Sequence, residues 1–249
     1  MHFGVILPNF GRDSSPVGIR ATAEAAEELG FHSVWATEHI VVGPEGVDPY
    51  GRVYDPLVTL GWIAGWTERV GLGTSIVLVP LHNPFHLAKD VATLQELSGG
   101  RVTIGVGMGW HRDEFDFMGV PFEGRGARAD EEIRLMKALW SGEPSFEGRL
   151  WSYRDATAEP HPSPRPEIWV GGSSERAIRR ARELGDAWHP SRGSDADHVR
   201  KVKERHPDLR IVPRTTADRV DAMLDAGADG AVVTFADDAA MRDFARSHL

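Results

Sequence analysis

Residues 71–84 read GLGTSIVLVPLHNP, and this stretch decides the fold. Its Gly-Leu-Gly start and its Val and Ile residues are typical of a buried parallel strand. The Asn83-Pro84 pair at its end is the capping residue and proline that open a helix. Two polar residues, Thr74 and Ser75, interrupt the apolar run. The stretch therefore predicts a strand leading into a helix, with an interruption that either belongs to the core or forms one wall of a binding site.

The same unit of strand and helix repeats along the whole chain. Short runs rich in Val and Ile alternate with amphipathic segments, which indicates a mainly parallel sheet. The predicted strands span residues 3–8, 33–37, 71–79, 101–107, 167–172, 185–190, 210–215 and 229–235. The clearest predicted helices span residues 16–29, 129–139 and 239–247, and two more open at 55–56 and 83–84. Eight such units predict an α/β fold, a TIM (β/α)8 barrel in a single domain of residues 1–249.

One segment departs from this pattern. Between Ser141 and Arg165, FEGRLWSY suggests a hairpin and PHPSPRP a return to the barrel. We interpret this segment as an excursion between the helix of the fourth unit and the fifth strand, rather than as a second domain. An open doubly wound sheet is the competing fold, because it is built from the same units. If the fold is a barrel, function lies in the loops that follow the strands.

Composition excludes several classes of function. The formal charge of −9, from 37 acidic against 28 basic residues, opposes the phosphate attraction that dominates nucleic-acid binding. Because the chain has no cysteine, disulfides, thiolate nucleophiles and Cys-based metal sites are excluded. The apolar run at the start is too short for a signal sequence, and nowhere do about eighteen apolar residues run together. We expect a soluble cytoplasmic protein without a nucleic-acid or membrane partner.

The loop after the second strand carries an acid–base pair, Glu38 and His39. A histidine at the carboxyl end of a barrel strand can exchange protons near neutral pH, and an adjacent acid can orient a neighbouring group. The alternative is a surface ion pair or a capped loop, since paired groups are often merely structural.

The loop after the fourth strand is GVGMGWHRDEF. Its glycines at 105, 107 and 109 have no Cβ, so we expect them to let a flat ligand approach the backbone. Trp110 can stack on an aromatic ligand, and Asp113 and Glu114 can accept hydrogen bonds. The alternative is that Trp110 packs beneath the long excursion.

The loop after the fifth strand is a candidate phosphate site. Gly171, Gly172, Ser173 and Ser174 present backbone N–H groups and hydroxyls at the positive end of a helix. A plain Ser cap with a tight turn is the alternative. The arginines that follow, at 176, 179, 180 and 182, are interpreted as the solvated face of that helix. His82 and His86 lack a convincing third ligand, so no metal site is predicted.

Taken together, these segments resemble the luciferase-like monooxygenase superfamily of barrel flavoproteins, especially its shorter deazaflavin-dependent oxidoreductases. The resemblance runs through nearly the whole chain. It rests on FGVILPNFG, GFHSVWATEHIVV, the run from YDPLVTLGW to TIGVGMGW, DEFDFMGVPFEGRGARADE and PEIWVGGSSERAIRRARELGDAWHP. These motifs are highly specific to the superfamily and much less specific to cofactor or substrate.

The resemblance implies roles at matching positions. A bulge at Thr74, Ser75 and Ile76 would touch the flavin ring, and relatives often have a non-proline cis peptide there, which here would be Ser75-Ile76. His39 matches the active-site histidine of some deazaflavin-dependent relatives. Glu114 matches an acidic position near their substrate pocket, and Glu38 stands where relatives often carry Asp. The residues implied to line the cofactor cleft are Gly107, Met108, Gly109 and Trp110, and those implied to hold the phosphate are Gly171, Gly172, Ser173 and Ser174.

This resemblance predicts an oxidoreductase that moves a hydride between coenzyme F420 and a small organic substrate, with catalytic residues among Glu38, His39 and Glu114. Two alternatives stay open. One is a monooxygenase that uses reduced FMN and O2 with a separate reductase, and the other is a flavin-binding protein without turnover. The chain is short for the superfamily, so the substrate pocket is predicted to be open or completed by the partner subunit of a homodimer.

Overall fold

The computed structural model describes residues 1–190 and 193–249. Parallel strands form a barrel, and helices surround it. The strands are β1 His2–Ile6, β2 Ser33–Ala36, β3 Gly71–Thr74, β4 Val77–Leu78, β5 Val102–Gly107, β6 Phe146–Glu147, β7 Ser152–Tyr153, β8 Glu167–Gly171, β9 Ala187–His189, β10 Arg214–Thr216 and β11 Gly230–Thr234. The α-helices are α1 Pro16–Leu29, α2 Val47–Tyr50, α3 Pro56–Ala64, α4 Pro84–Leu97, α5 Arg112–Phe117, α6 Arg125–Trp140, α7 Glu175–Leu184, α8 Ala196–Arg205, α9 Val220–Asp225 and α10 Asp238–His248.

The strand order shows how the barrel closes. Neighbouring strands follow the order β10-β11-β1-β2-β3-β5-β8-β9, and the short β4 also pairs with β5. The two ends of this order meet through a parallel bridge between Trp188 and Ile211, and the Arg214 amide donates to the Pro190 carbonyl at 3.0 Å. Pro213 has no N–H to donate, so regular pairing in the predicted seventh strand begins only at Arg214. The TIM-barrel prediction is confirmed, and the doubly wound alternative is wrong.

Capping side chains explain why the predicted helix starts are confirmed. At each of four starts a side-chain oxygen accepts a backbone N–H from the first turn, which satisfies a group that has no partner within the helix. The cap and donor pairs are Ser15 with Gly18, Asp55 with Val58, Asn83 with Phe85 and Ser174 with Ala177.

Helix α6 shows what happens where that signal is missing. It starts at Arg125, four residues before the predicted start, and its N-cap is Gly124 with φ 78° and no capping side chain. The predicted hairpin of the excursion is present as the antiparallel pair β6 and β7. None of the helices in the described ranges is both long and apolar enough to span a bilayer.

The barrel interior is filled by large side chains below the carboxyl ends of the strands. Trp35 and Trp169 are fully buried, and their ring centroids lie 4.7 Å apart. The His189 ring stacks on Trp35 with centroids 5.2 Å apart. These rings form a solid floor, so a ligand at the carboxyl ends of the strands meets a packed core and not a pore.

Candidate active site

A cleft of about 350 Å³ opens at the carboxyl ends of the strands. Of the residues predicted as site residues, those that line the cleft are Glu38, His39, Ser75, Ile76, Gly107, Met108, Gly109, Trp110, Gly171, Gly172 and Ser174. The other three, Thr74, Ser173 and Glu114, lie beside it and contact its lining residues or their neighbours. The strand ends therefore bring most of the predicted residues together.

The interruption quoted at the outset is a bulge between β3 and β4, and its Ser75-Ile76 peptide is cis, as predicted. The Ser75 amide donates to the Ala36 carbonyl at 2.7 Å. Arg214 Nη1 donates to the Ser75 carbonyl at 2.8 Å and to Thr37 Oγ1 at 3.0 Å. The bulge is thus held from β2 and from β10, while Ser75 and Ile76 face the cleft.

The glycines of β5 make room for this bulge. A Cβ at Gly105 would lie 2.0 Å from the Thr74 carbonyl oxygen, and one at Gly107 would lie 1.6 Å from Ile76 Cδ1. The expectation that the glycines at 105, 107 and 109 clear space for a flat ligand is corrected. The protein's own bulge fills the space beside Gly105 and Gly107, and the Phe115 ring, 2.6 Å from where a Gly109 Cβ would be, fills the space beside the third. Thr74 itself is buried and its hydroxyl donates to the Gly105 carbonyl at 2.8 Å, so it supports the bulge from behind.

His39 and Glu114 form a hydrogen-bonded pair on the wall of the cleft. The His39 Nδ1 atom lies 2.9 Å from Glu114 Oε2, and the Glu114 side chain is fully buried. The other carboxylate oxygen accepts the Ile40 amide at 2.6 Å. A carboxylate held in this way favours a proton on Nδ1, which leaves the Nε2 lone pair of His39 available. The centroid of the His39 ring lies 4.2 Å from that of Tyr50, in a tilted contact. It lies 5.9 Å from that of Trp110, in a T-shaped contact.

Glu38 also lines the cleft, but its oxygens are engaged by the protein. Oε2 accepts the Leu78 amide at 2.6 Å, and Oε1 lies 3.0 Å from His82 Nε2. Burial alone would lower the pKa of His82, but the hydrogen bond and the charge of Glu38 outweigh it and raise that pKa above its ordinary value. These contacts tie β2 to the end of β4 and favour a positioning role for Glu38.

His189 was not singled out from the sequence as a site residue. Burial lowers its pKa to about 4, although its hydrogen bond to Val212 opposes the shift, and the charge of Arg214 lowers it further. The ring is therefore neutral near pH 7. Nδ1 donates to the Val212 carbonyl at 2.6 Å, so Nε2 must accept from the Ser75 hydroxyl at 2.9 Å. His189 and Arg214 stand at predicted strand ends, and this was the signal that could have found them.

The residues predicted to hold a phosphate lie at the start of α7. Gly172 has φ 97°, and Ser174 caps α7 by accepting the Ala177 amide at 3.2 Å. The Ser173 hydroxyl oxygen accepts from Ser194 Oγ at 2.8 Å. Arg180 also lines the cleft, with a side chain only 5% exposed. The interpretation of the arginine run as a solvated face is therefore wrong at Arg180.

This arrangement of barrel, bulge and cleft agrees with the comparison to known protein families. The family model described as luciferase-like monooxygenase matches residues 1–247. The chain belongs to this family. Family membership makes the chain one of a group of oxidoreductases.

Relatives in this family differ in cofactor. An uncharacterized protein of Mycobacterium tuberculosis is 34% identical over 204 residues, which cover 76% of this chain and 71% of the relative. The F420-dependent glucose-6-phosphate dehydrogenase of Kineococcus radiotolerans is 37% identical over 70% of this chain and 52% of its own length. The FMNH2-dependent dimethylsulfone monooxygenase of Pseudomonas putida is 30% identical over 77% of this chain and 52% of its own length. The match thus spans about half the length of the two enzymes with named cofactors.

Solved structures support the fold and do not separate the cofactors. An F420-dependent secondary alcohol dehydrogenase, in complex with an F420-acetone adduct, has a TM-score of 0.83 at 15% identity and covers 100% of this chain and 98% of its own. The monooxygenase RslO1 from Streptomyces bottropensis has a TM-score of 0.79 at 22% identity and covers 99% of this chain and 97% of its own. The relatives with named cofactors support a flavin-type or deazaflavin-type cofactor and do not decide between the two.

Proposed function

We propose that this protein is an F420-dependent oxidoreductase that transfers a hydride between the deazaflavin ring and a small organic substrate. The single observation that carries the proposal is the hydrogen-bonded pair of His39 and Glu114 on the cleft wall. Oxidation of an alcohol by hydride loss also releases a proton from oxygen, and the reverse reaction takes one up. A histidine whose Nδ1 is held by a buried carboxylate, and whose Nε2 makes no hydrogen bond to the described residues, is suited to exchange that proton.

The residues present fit a phosphorylated deazaflavin or flavin. The cleft is bounded on one side by the bulge at Ser75 and Ile76, which offers a firm surface for a flat ring. The start of α7 and the Arg180 guanidinium, which also line the cleft, would provide positive charge for a phosphate. When bound, F420 would supply hydride acceptance and donation. The chain's part would be to orient the ring, to exclude water and to exchange the proton at His39 Nε2.

The second candidate is a monooxygenase that uses reduced FMN and O2, with a separate reductase. The match to the dimethylsulfone monooxygenase of Pseudomonas putida favours it, and the phosphate site would serve either cofactor. We favour F420 because that chemistry makes direct use of a proton-exchanging histidine. The F420-dependent relative also has the higher identity of the two. A flavin-binding protein without turnover is the third possibility.

Cofactor titration separates these functions. The protein is titrated with F420 and with FMN, and each bound, reduced cofactor is then mixed with a panel of ketones and aldehydes with and without O2. We expect tighter binding of F420 and oxidation of reduced F420 that depends on substrate and not on O2. Preference for FMN with O2 consumption would replace the proposal by the monooxygenase. Tight binding without turnover across the panel would favour a carrier.

The role of His39 is tested by His39→Asn, whose amide can still donate to Glu114 but has no group equivalent to Nε2. We expect hydride transfer to slow by about 10²–10⁴-fold, the usual share of a general acid or base. Cofactor affinity should change little, because ring and phosphate contacts remain. His86→Asn on the exposed side of α4 is the matched control. Unchanged turnover in His39→Asn would remove His39 from the mechanism.

A further inference from the structure

We infer that the substrate is an uncharged carbonyl compound, or the corresponding alcohol, that carries an apolar hydrocarbon body. This inference rests on the proposed function and deepens it by naming the class of substrate. Its basis is an apolar surface beside the cleft. Of the thirteen large apolar residues that are exposed in the described ranges, six lie in the two segments that adjoin His39 and Gly109, namely Ile40, Val41, Val47, Trp110, Phe117 and Met118. We call these six residues the rim.

The two segments of the rim are held against each other. Glu114 accepts the backbone amide of Ile40 at 2.6 Å and that of Val41 at 3.4 Å. Phe117 and Met118 follow Glu114 by three and four residues, so they lie on the same side of α5 as this contact. The apolar side chains are therefore neighbours. Exposed apolar residues that stand together, rather than singly, mark a binding surface.

The rim adjoins the wall of the cleft that carries His39. Trp110 belongs to both surfaces, because it lines the cleft and is still 55% exposed. Its ring contacts the His39 ring from one direction, and Tyr50 contacts that ring from another. The Tyr50 ring in turn stacks on Phe10, with centroids 5.7 Å apart. A substrate with its reacting group at His39 therefore has apolar and aromatic side chains around the rest of its body.

The size of the cleft also directs a substrate towards the rim. Its volume of about 350 Å³ is near the lower end of the range of about 300–1,000 Å³ for pockets that enclose a drug-sized ligand. Because a cofactor ring shares this volume, little space is left beyond the reacting group of the substrate. The body of a larger substrate must therefore extend over the rim, where hydrocarbon is removed from water.

The charges of the same two segments oppose an anionic substrate. Residues 40–50 and 110–118 contain five acidic residues and one basic residue. That basic residue, Arg112, donates to Glu123 at 2.8 Å. A carboxylate or phosphate on the substrate would meet like charges here, and it would lose water against apolar side chains. The rim therefore favours an uncharged, apolar body.

The test uses methyl ketones from acetone to 2-hexanone, together with 5-oxohexanoate, which replaces the terminal methyl group of 2-hexanone by a carboxylate. Dissociation constants are measured from cofactor fluorescence on the protein loaded with F420 and, in parallel, with FMN. Values of kcat/KM are measured with reduced F420. We expect affinity and kcat/KM to rise about fourfold for each methylene group, the usual gain from removing it from water. We expect 5-oxohexanoate to bind about tenfold or more weakly than 2-hexanone.

Substitutions in the rim show whether this gradient arises there. Val41→Thr combined with Phe117→Gln makes the rim polar and leaves the lining of the cleft in place. We expect the gain for each methylene group to fall to about twofold or less, because hydrocarbon then meets polar side chains. Leu97→Gln is the control, since Leu97 lies on α4 outside the rim and is 77% exposed, and it should keep the wild-type gradient. Unchanged F420 affinity verifies that each variant is folded.

Equal dissociation constants along the ketone series, or tighter binding of 5-oxohexanoate, would overturn the inference. So would a wild-type gradient in the rim variant. A dimer in light scattering that the rim substitutions convert to a monomer would also overturn it, because the rim would then be an interface between two copies of the chain. Turnover with FMN and O2 instead of F420 would overturn the proposed function, and the gradient on the FMN-loaded protein would still test the substrate class.

Discussion

The tautomer of His39 depends on one buried carboxylate. Oε1 of Glu114 accepts hydrogen bonds from the backbone amides of Ile40 and Val41, so Oε2 is the oxygen that faces the His39 ring. Since a carboxylate only accepts hydrogen bonds, Nδ1 of a neutral His39 must carry the proton. Nε2 is then the proton acceptor on the cleft side. Glu114 therefore acts through His39 and is a positioning residue.

Glu114→Gln is predicted to reverse this arrangement. The Gln carbonyl can keep the bonds to Ile40 and Val41, and its NH2 group then faces Nδ1, which must become an acceptor. The proton moves to Nε2, and His39 can no longer take a proton from a substrate hydroxyl. We expect substrate oxidation to fall by about 10²–10⁴-fold, as expected for a histidine in the wrong tautomer.

Nitrogen-15 NMR of the His39 ring provides a readout that does not depend on turnover. It should show a protonated Nδ1 in the wild type and a protonated Nε2 in Glu114→Gln. Asp116→Asn, an exposed acid on the same short helix, is the control and should change neither the spectrum nor the rate. An unchanged tautomer in Glu114→Gln would contradict the positioning role.

At the scale of elements, the bulge and β5 are sterically complementary. Ile76 projects into the space left by Gly107, and its Cγ2 atom lies 3.0 Å from where a Gly171 Cβ would be. Gly105 leaves space for the Thr74 carbonyl. The bulge, β5 and β8 therefore depend on one another, because a side chain added on either strand must displace the bulge.

Gly107→Ala is predicted to destabilise the protein by about 1–3 kcal/mol, because overpacking forces neighbouring atoms to shift. The main clash is with Ile76 Cδ1, and Ile76→Ala leaves only Cβ, 3.7 Å from the new methyl group. The double variant should therefore be more stable than Gly107→Ala alone. Gly61→Ala, at an exposed helical position with nothing within 4 Å, should stabilise by about 0.5–1 kcal/mol. Urea unfolding of the wild type, the two single variants, the double variant and Gly61→Ala measures these effects, and additive effects of Gly107→Ala and Ile76→Ala would argue against this contact.

The sequence could predict those parts of the molecule that depend on local signals. Alternating strands and capped helices identified the barrel, and barrel geometry then gathers the residues that directly follow strands, such as His39 and Gly171. The residues that were missed depend on distant parts of the chain. Arg180 faces inward where Asp130 and Gly126 of another helix contact it, and the space beside Gly107 is filled by Ile76 from the bulge between β3 and β4. No local pattern carries that information.

At the scale of the whole molecule, we predict that stability falls on acidification. Burial and the charges of His32 and Arg210 lower the pKa of His2 to about 3, and burial with the charge of Arg214 lowers that of His189 to about 4. Burial raises the pKa of Glu132 to about 7, against the opposing charge of Arg128. Between pH 4.5 and 6.5 unfolding thus takes up protons at two histidines and releases one at Glu132. The net uptake lowers the free energy of unfolding by about 1.4 kcal/mol for each pH unit of acidification.

Urea unfolding at several pH values in this window tests the prediction. Glu132→Gln removes the opposing proton release, so its free energy of unfolding should fall about twice as steeply with acidification as that of the wild type. Above pH 7 the same variant should be more stable than the wild type, because the wild type must then ionise a buried carboxyl group. A wild-type stability that rises from pH 6.5 to 4.5 would contradict the assignment.

The stacked tryptophans beneath the cleft have an optical consequence. Trp35 and Trp169 lie in the barrel floor, directly under His189, and a third indole, Trp110, stands at the rim. Flavins and deazaflavins absorb in the region where tryptophan emits light, so a ring held above this floor quenches the emission by energy transfer. We therefore expect cofactor binding to quench the emission of Trp35 and Trp169, and this buried pair is shielded from quenchers in solvent.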